Sequence, residues 1–198
     1  PLSDEDFGRV CLEAAEKGTK SRISFIGEIG PDGVLHDTAV SSLGRDVCSV
    51  TDPDGRAKPP GNFHIHGICG RVLREGRSLI ANHPASHPDR VGLPAGHPSL
   101  SSFLGVPLKD GEKTVGLLAV GNREGGYGPK EASGLERLAT AVSEALSRRK
   151  LEQQLKAYRL DLEQKVRKRT KDLERQNKRR KFLARNLVAL LERGRSDG

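Results

Sequence analysis

Apolar residues recur along the last third of the chain at the spacing of one long helix: Leu135, Leu138, Val142, Leu146, Leu151, Leu155, Tyr158, Leu162, Val166, Leu173, Leu187 and Leu191. No Pro occurs in this stretch, and no Gly falls between Gly134 and Gly194. From Leu151 the steps run 4, 3, 4, 4, 4 to Thr170, then alternate 3 and 4 through Leu173, Asn177, Arg180, Ala184, Leu187 and Leu191. Alternating threes and fours are a heptad seam, and the run of fours is a stutter that locally unwinds a supercoil. The seam is narrow and its flanks are polar, so it calls for a partner helix. The simplest partner is a parallel copy, which predicts a homodimer through the 135–191 helix. Asn177 on the seam fits in-register parallel pairing, while a single solvated helix is the blander reading.

Upstream, the pattern shortens and changes period. Ser3 to Lys17 carries Phe7, Val10, Cys11, Ala14 and Ala15 at helical spacing, opened by Ser3 with Asp6 three residues later and ended at Gly18. Arg22 to Ile29 alternates as a half-buried strand, and Gly30-Pro31-Asp32-Gly33 turns it into a second strand, Val34 to Val40. Residues 42–61 are a long loop rich in Gly, Pro, Asp and Ser. A short helix follows from about Gly67 to Glu75-Gly76, with Ile68, Val72 and Leu73 inward, then a short strand, Ser78 to Asn82. A second loop, His83 to Pro98, leads into a strand, Ser101 to Leu108, with Pro107 near its end. Asp110-Gly111 makes a hairpin turn into Thr114 to Asn122, an apolar run that belongs in the centre of a sheet covered on both faces. Pro129 opens the long helix. The order predicts an α+β fold, an antiparallel sheet flanked by helices, with the long C-terminal coiled-coil helix beyond it.

Charge sharpens this division. The chain of 198 residues has a net charge of +8, yet Arg148 to Arg185 alone holds sixteen Lys/Arg against five Asp/Glu, leaving the rest near −3. Basicity therefore belongs to the coil, and with five Phe, two Tyr and no Trp the folded part lacks the basic, aromatic face of a nucleic-acid binder. No apolar run reaches the roughly 20 residues of a membrane span, and no signal peptide opens the chain. Pro1 in place of an initiating Met points to a fragment or a processed chain. The three cysteines, Cys11, Cys48 and Cys69, are odd in number and show no CxxC spacing, which points away from a secreted disulfide framework and towards a cytoplasmic setting.

Candidate chemistry is sparse. His64, His66 and Cys69 bring two imidazoles to one side of an extended segment and a thiol one helical turn on, residue types that ligate zinc, iron or haem; a surface His pair with a buried Cys is the structural alternative. His83, His87 and His97 each precede a proline, which stiffens a loop more readily than it builds a metal site. Cys48 sits in the long loop beside Arg45 and is oxidisable in principle, with Cys69 as its second thiol. Gly125-Gly126-Tyr127-Gly128 lacks the spacing and Lys of a phosphate loop and reads as a turn. No Ser/His/Asp, HExxH or paired-carboxylate pattern stands out, so the chain itself is not expected to be an enzyme.

The stretch SSFLGVPLKDGEKTVGLLAVGNREGGYGPKEASGLERLATAVSEAL resembles the final half of a GAF domain, and GRVLREGRSLIANHPASHPDRVGLPAGHPSL is similar to the segment before it in GAF sensors of bacterial and archaeal signalling kinases. The resemblance covers about Ser3 to Arg148, so residues 1–148 are expected to form the sensor domain and 149–198 a signalling coiled coil leading to an output domain. It implies a small-molecule pocket bordered by the short helix, with Phe63, His66, Cys69 and Val72 as lining residues; the place of Cys69 looks more often aromatic in such relatives. Haem ligation is known among sensors of this type, which makes Cys48 and Cys69 attachment candidates and His66 or His97 axial candidates, the cofactor itself staying open. LEQQLKAYRLDLEQKVRKRTKDLERQN is similar to the helices that join such sensors to outputs, and RRKFLARNLVALLERGR to the approach to the phosphoacceptor helix of one class of sensor histidine kinases. No His follows His97, so the phosphoacceptor itself is not in this sequence. A cyclic-dinucleotide enzyme as the output, or a thiol-based methionine sulfoxide reductase of GAF type, are the alternative expectations.

Overall fold

The computed structural model describes residues 3–41, 65–91 and 99–196. The chain forms two compact units, Pro1–Ser147 and Arg148–Gly198. The first opens with helix α1 (Asp4–Thr19), where the Ser3 side chain accepts a hydrogen bond from the Asp6 backbone N–H at 3.1 Å, as the capping pattern leads one to expect. Its end differs from expectation. The helix runs through Gly18, and Lys20 takes the left-handed position at φ 54° while the Thr19 hydroxyl donates to the Ala15 carbonyl at 2.6 Å. The last turn is thus closed by a side-chain hydroxyl and a left-handed cap, so no glycine is needed to stop it.

Strands β1 (Ile23–Ile29) and β2 (Leu35–Val40) form the first hairpin. After the short helix α2 (Gly67–Glu75) comes β3 (Leu79–Ala81), then β4 (Phe103–Asp110) and β5 (Lys113–Gly121). All five pair antiparallel in the order β2-β1-β5-β4-β3, with the apolar strand β5 at the centre as its composition requires. Pro107 lies inside β4, which runs on to Asp110, rather than near its end. It falls beyond Gly105, the limit of β4's pairing with β3, where one side of β4 is an edge and a missing N–H is tolerated.

The alternation of β4 and β5 divides the core between two faces. On one, Ile26, Leu104, Val106, Leu108, Leu118 and Val120 pack against Cys11, Leu12 and Ala15 of α1 and against Leu135, Ala139 and Val142 of α3 (Pro129–Ser196). On the other, Leu35, Phe103, Leu117 and Ala119 pack against Val72 and Leu73 of α2. Helix α3 is one uninterrupted helix of 68 residues. Its apolar stripe in the first unit, Leu135, Ala139 and Val142, is buried on the sheet, whereas Leu151, Leu155, Tyr158, Leu162, Val166 and Leu173 in the second unit are all exposed. Among the described residues no helix is long and apolar enough to cross a membrane.

Candidate functional site

Helix α2 is where the sequence places most of its candidates. His66 is its N-cap, in extended conformation; its carbonyl accepts from the Gly70 N–H at 2.9 Å, while its imidazole makes no capping bond. Cys69 is half-buried among the apolar residues of the α2 face, and burial pushes its thiol up to about 11. Burial thus disfavours the thiolate form in this chain without a bound partner, which slows its reaction as a nucleophile. Val72 is fully buried and lies against Gly105 of β4, whose missing side chain leaves room for the helix to approach the sheet. His66, Cys69 and Val72 thus share one short helix. Phe63, His64, Cys48 and His97 lie outside the described residues.

The proline-flanked histidines divide. Pro84 opens a single 3₁₀ turn, Pro84–Ser86, after His83, and the His87 Nδ1 accepts from the Asp89 N–H at 3.1 Å. Asp89 in turn pairs with Arg71 of α2 at 3.0 Å, so this loop is pinned to α2 by its own polar contacts. Among the described residues no group of three His, Cys, Asp or Glu side chains is arranged to hold a metal ion.

Two features escaped the sequence reading. The first is the seating of α3. Asn82, just past β3, accepts from the Tyr127 N–H at 2.7 Å and donates to the Tyr127 carbonyl at 3.0 Å, and the Tyr127 hydroxyl shares a 2.7 Å hydrogen bond with Ser21 after α1. Gly126 has φ +77° and lies so close to Asn82 that a Cβ there would collide with the amide. Glu131 closes the helix start by accepting from the Gly128 N–H at 2.9 Å, and that bond is the main reason its carboxyl is held below the usual range. Asn82 in a loop and glycines before a helix are each ordinary; only folding brings them together. The glycine-rich loop is therefore a seat for α3.

The second is Asp37. The β1–β2 ladder pairs Gly27 with Asp37 but Ile26 with Ala39, so Thr38 is an extra residue, a β-bulge. A Cβ on Gly27 would meet the Phe25 ring and Leu35, both on the α2 face, which fixes the direction in which its cross-strand partner points. The bulge after Asp37 turns Ala39 towards α1, whereas Asp37 itself, two residues from Leu35, lies on the α2 face. There the buried Oδ1 has no hydrogen-bond partner among the described residues, and desolvation pushes the carboxyl up to about 7 against a small opposing pull from His36. Elsewhere, an open cleft of about 610 Å³ runs between Arg77, Lys109 and Asp110 on one side and Glu136, Thr140 and Glu144 of α3 on the other. Its walls mix both charges.

Residues 2–147 match the model of a family described as GAF domain. The methyl sulfide methyltransferase-associated sensor of Methanosarcina acetivorans is 30% identical over 157 residues, which is 77% of this chain but 15% of that protein. The chain therefore spans only a small part of the length of that curated relative. Among solved structures, the GAF domain of a phosphoenolpyruvate-protein phosphotransferase from Coxiella burnetii superimposes with a TM-score of 0.62 at 14% identity, covering 77% of this chain and 87% of that one. The second GAF domain of DevS from Mycobacterium smegmatis does so with a TM-score of 0.53 at 12% identity, covering 75% and 96%. At these identities both likenesses speak to the fold.

Proposed function

Because this chain belongs to the GAF domain family, we propose that it is the cytoplasmic sensory module of a two-component sensor histidine kinase. A small molecule binds on the α2 face of the sheet, and α3 carries the resulting bias through a parallel dimeric coil to the output. The chain itself performs no catalysis. The similarity to a curated sensor supports the sensory role. What carries the reading is the two-part character of α3: its first turns are sealed into the sensor core, and the same helix continues with a regular apolar stripe left exposed.

A stripe of this kind is covered most simply by a second copy. The pairs Arg148–Glu152 and Arg159–Glu163 at 2.9 Å and Asp161–Lys165 at 2.7 Å support the helix along its own length by a few tenths of a kcal/mol each, roughly, and leave the stripe untouched. Sixteen cations between Arg148 and Arg185 make two such helices repel, so the pairing is marginal and responsive to bias. Signalling then requires a ligand that favours one of two coil arrangements, and the stutter between Leu162 and Thr170 is where those arrangements differ.

Two measurements test this. Sedimentation equilibrium of the full chain is expected to give a dimer that tightens as sodium chloride is raised, because salt screens the repulsion, and to give a monomer for Leu155→Glu. A monomer at every salt concentration overturns the coil. In a fusion to a histidine-kinase catalytic core, inserting seven residues between Leu162 and Thr170 preserves autophosphorylation control and inserting two abolishes it. Indifference to phase removes the transmission mechanism.

A further inference from the structure

We propose that Asp37 is the polar anchor of the sensor pocket, and that the ligand presents to it a cationic group, a primary ammonium carried on an apolar body. This rests on the reading that the ligand binds on the α2 face. The case begins with the ladder, which pairs Asp37 with Gly27 and sets it two residues from Leu35, on that same face. Buried carboxylates in folded chains are normally paired, since an unpaired one sacrifices its hydration without return. Oδ1 of Asp37 is buried and has no hydrogen-bond partner among the described residues.

The surrounding charges are committed elsewhere. His36, the next residue, is bound to both carboxylate oxygens of Asp32 at 2.8 and 2.9 Å. Glu28, cross-strand from His36, accepts from the Thr38 hydroxyl at 3.0 Å. On α2, Arg71 is held by Glu75 at 2.9 Å and Asp89 at 3.0 Å, and the Arg74 guanidinium folds back along the helix beside Gly70. Among the described residues only His36 pulls on Asp37, and it is already bound to Asp32, so in this proposal the ligand brings the complementary charge. The ring of Phe25 reaches over Gly27, directly opposite Asp37, and Leu35 stands beside it. A carboxylate next to an aromatic ring and an aliphatic wall suits an ammonium on an apolar body: a charge-assisted hydrogen bond to the oxygen, attraction to the ring, and burial of the hydrocarbon. The raised carboxyl is consistent with this, because it marks an environment that favours ionisation only once a cation arrives.

The test uses the full chain and n-butylammonium chloride at constant ionic strength, with butan-1-ol and sodium butyrate as neutral and anionic counterparts, read by thermal shift and by amide chemical shifts. The expected result is a rise in melting temperature of a few degrees with butylammonium and none with butyrate. Binding tightens several-fold between pH 6 and pH 8, weakens at least tenfold in Asp37→Asn, and is unchanged in Asp32→Asn, an exposed carboxylate on the neighbouring turn. Phe25→Leu loses part of the affinity. Equal binding to Asp37→Asn, butyrate or butanol binding as well as butylammonium, or no butylammonium binding by the wild-type chain overturns the assignment. The shifts separate two kinds of failure. Butanol or butyrate perturbing β1 and α2 independently of Asp37 removes the cation and leaves the pocket face standing; butylammonium perturbing residues away from both elements removes the pocket face as well.

Discussion

The two faces of the sheet are built to different standards. The face under α1 and α3 is closed: Leu104, Val106, Leu108, Leu118 and Val120 are buried there. Most polar groups named at its border are matched, as where the Ser143 hydroxyl accepts from the Lys109 N–H at 3.0 Å and Ser24 donates to Glu16 at 2.8 Å, although the buried Arg123 Nε beside α3 has no partner among the described residues. The face under α2 is equally apolar at its centre but holds a carboxyl oxygen without a partner among the described residues and a thiol whose ionisation burial disfavours. A face made only for stability would not keep Asp37. Unpaired polar groups survive in folds where binding needs them, and the contrast is what the proposed ligand face would show.

Substitutions on the two faces should therefore differ in size and in sign. Leu118→Ala on the closed face empties a fully buried site and is expected to cost about 3 kcal/mol by urea unfolding. Asn82→Ala, which unties Tyr127 from the strand side, should cost about 2 kcal/mol by the same measurement, since two backbone groups lose their partner. A loss below a few tenths would mean that the seat of α3 is not held by Asn82. Asp37→Asn should go the other way. Its folded carboxyl lies at about 7, above the ordinary 3.8, so the native state prefers the neutral acid. That preference contributes fully below pH 3.8 and is lost as pH rises through 7. At pH 8 the Asn variant should therefore be more stable than wild type by about 1 kcal/mol, the burial penalty being reduced because the side chain is only partly shielded from water. The gap should close towards pH 4. A variant less stable than wild type at pH 8 would show that Asp37 is paired in solution, and the contrast between faces would fail. Smallest of all, the Cys69 thiol should be alkylated by iodoacetamide far more slowly in the folded chain at pH 8 than in urea, followed peptide by peptide in a mass spectrometer.

Much of this architecture is legible one residue at a time. The alternation of Ile23 to Ile29, the turn at Gly30-Pro31-Asp32-Gly33 and the continuous apolar run of β5 each encode a local conformation whose burial follows from its period. The same holds for α2, bounded by Gly67 and Gly76, and for the uninterrupted helix after Pro129, where nothing breaks the i to i+4 ladder for 68 residues. The site is less legible. His66, Cys69 and Val72 are recognisable as a helical cluster, but their spacing says nothing of the thiol's protonation, which depends on how many apolar neighbours the fold places around the sulfur. Asp37 looks in the sequence like an ordinary polar residue of an edge strand.

By itself, then, the sequence determines the elements, the central strand and the long helix, because these follow from local propensity and from the period of apolar residues. Which face Ala39 meets was decided by tertiary structure, since one extra residue at Thr38 reverses the direction of every side chain beyond it, and a bulge exists only once the two strands are paired. The seating of α3 on Asn82 was decided in the same way. Residues 45 apart in the chain become hydrogen-bonded only after β3 and the loop before α3 have been brought together by the sheet.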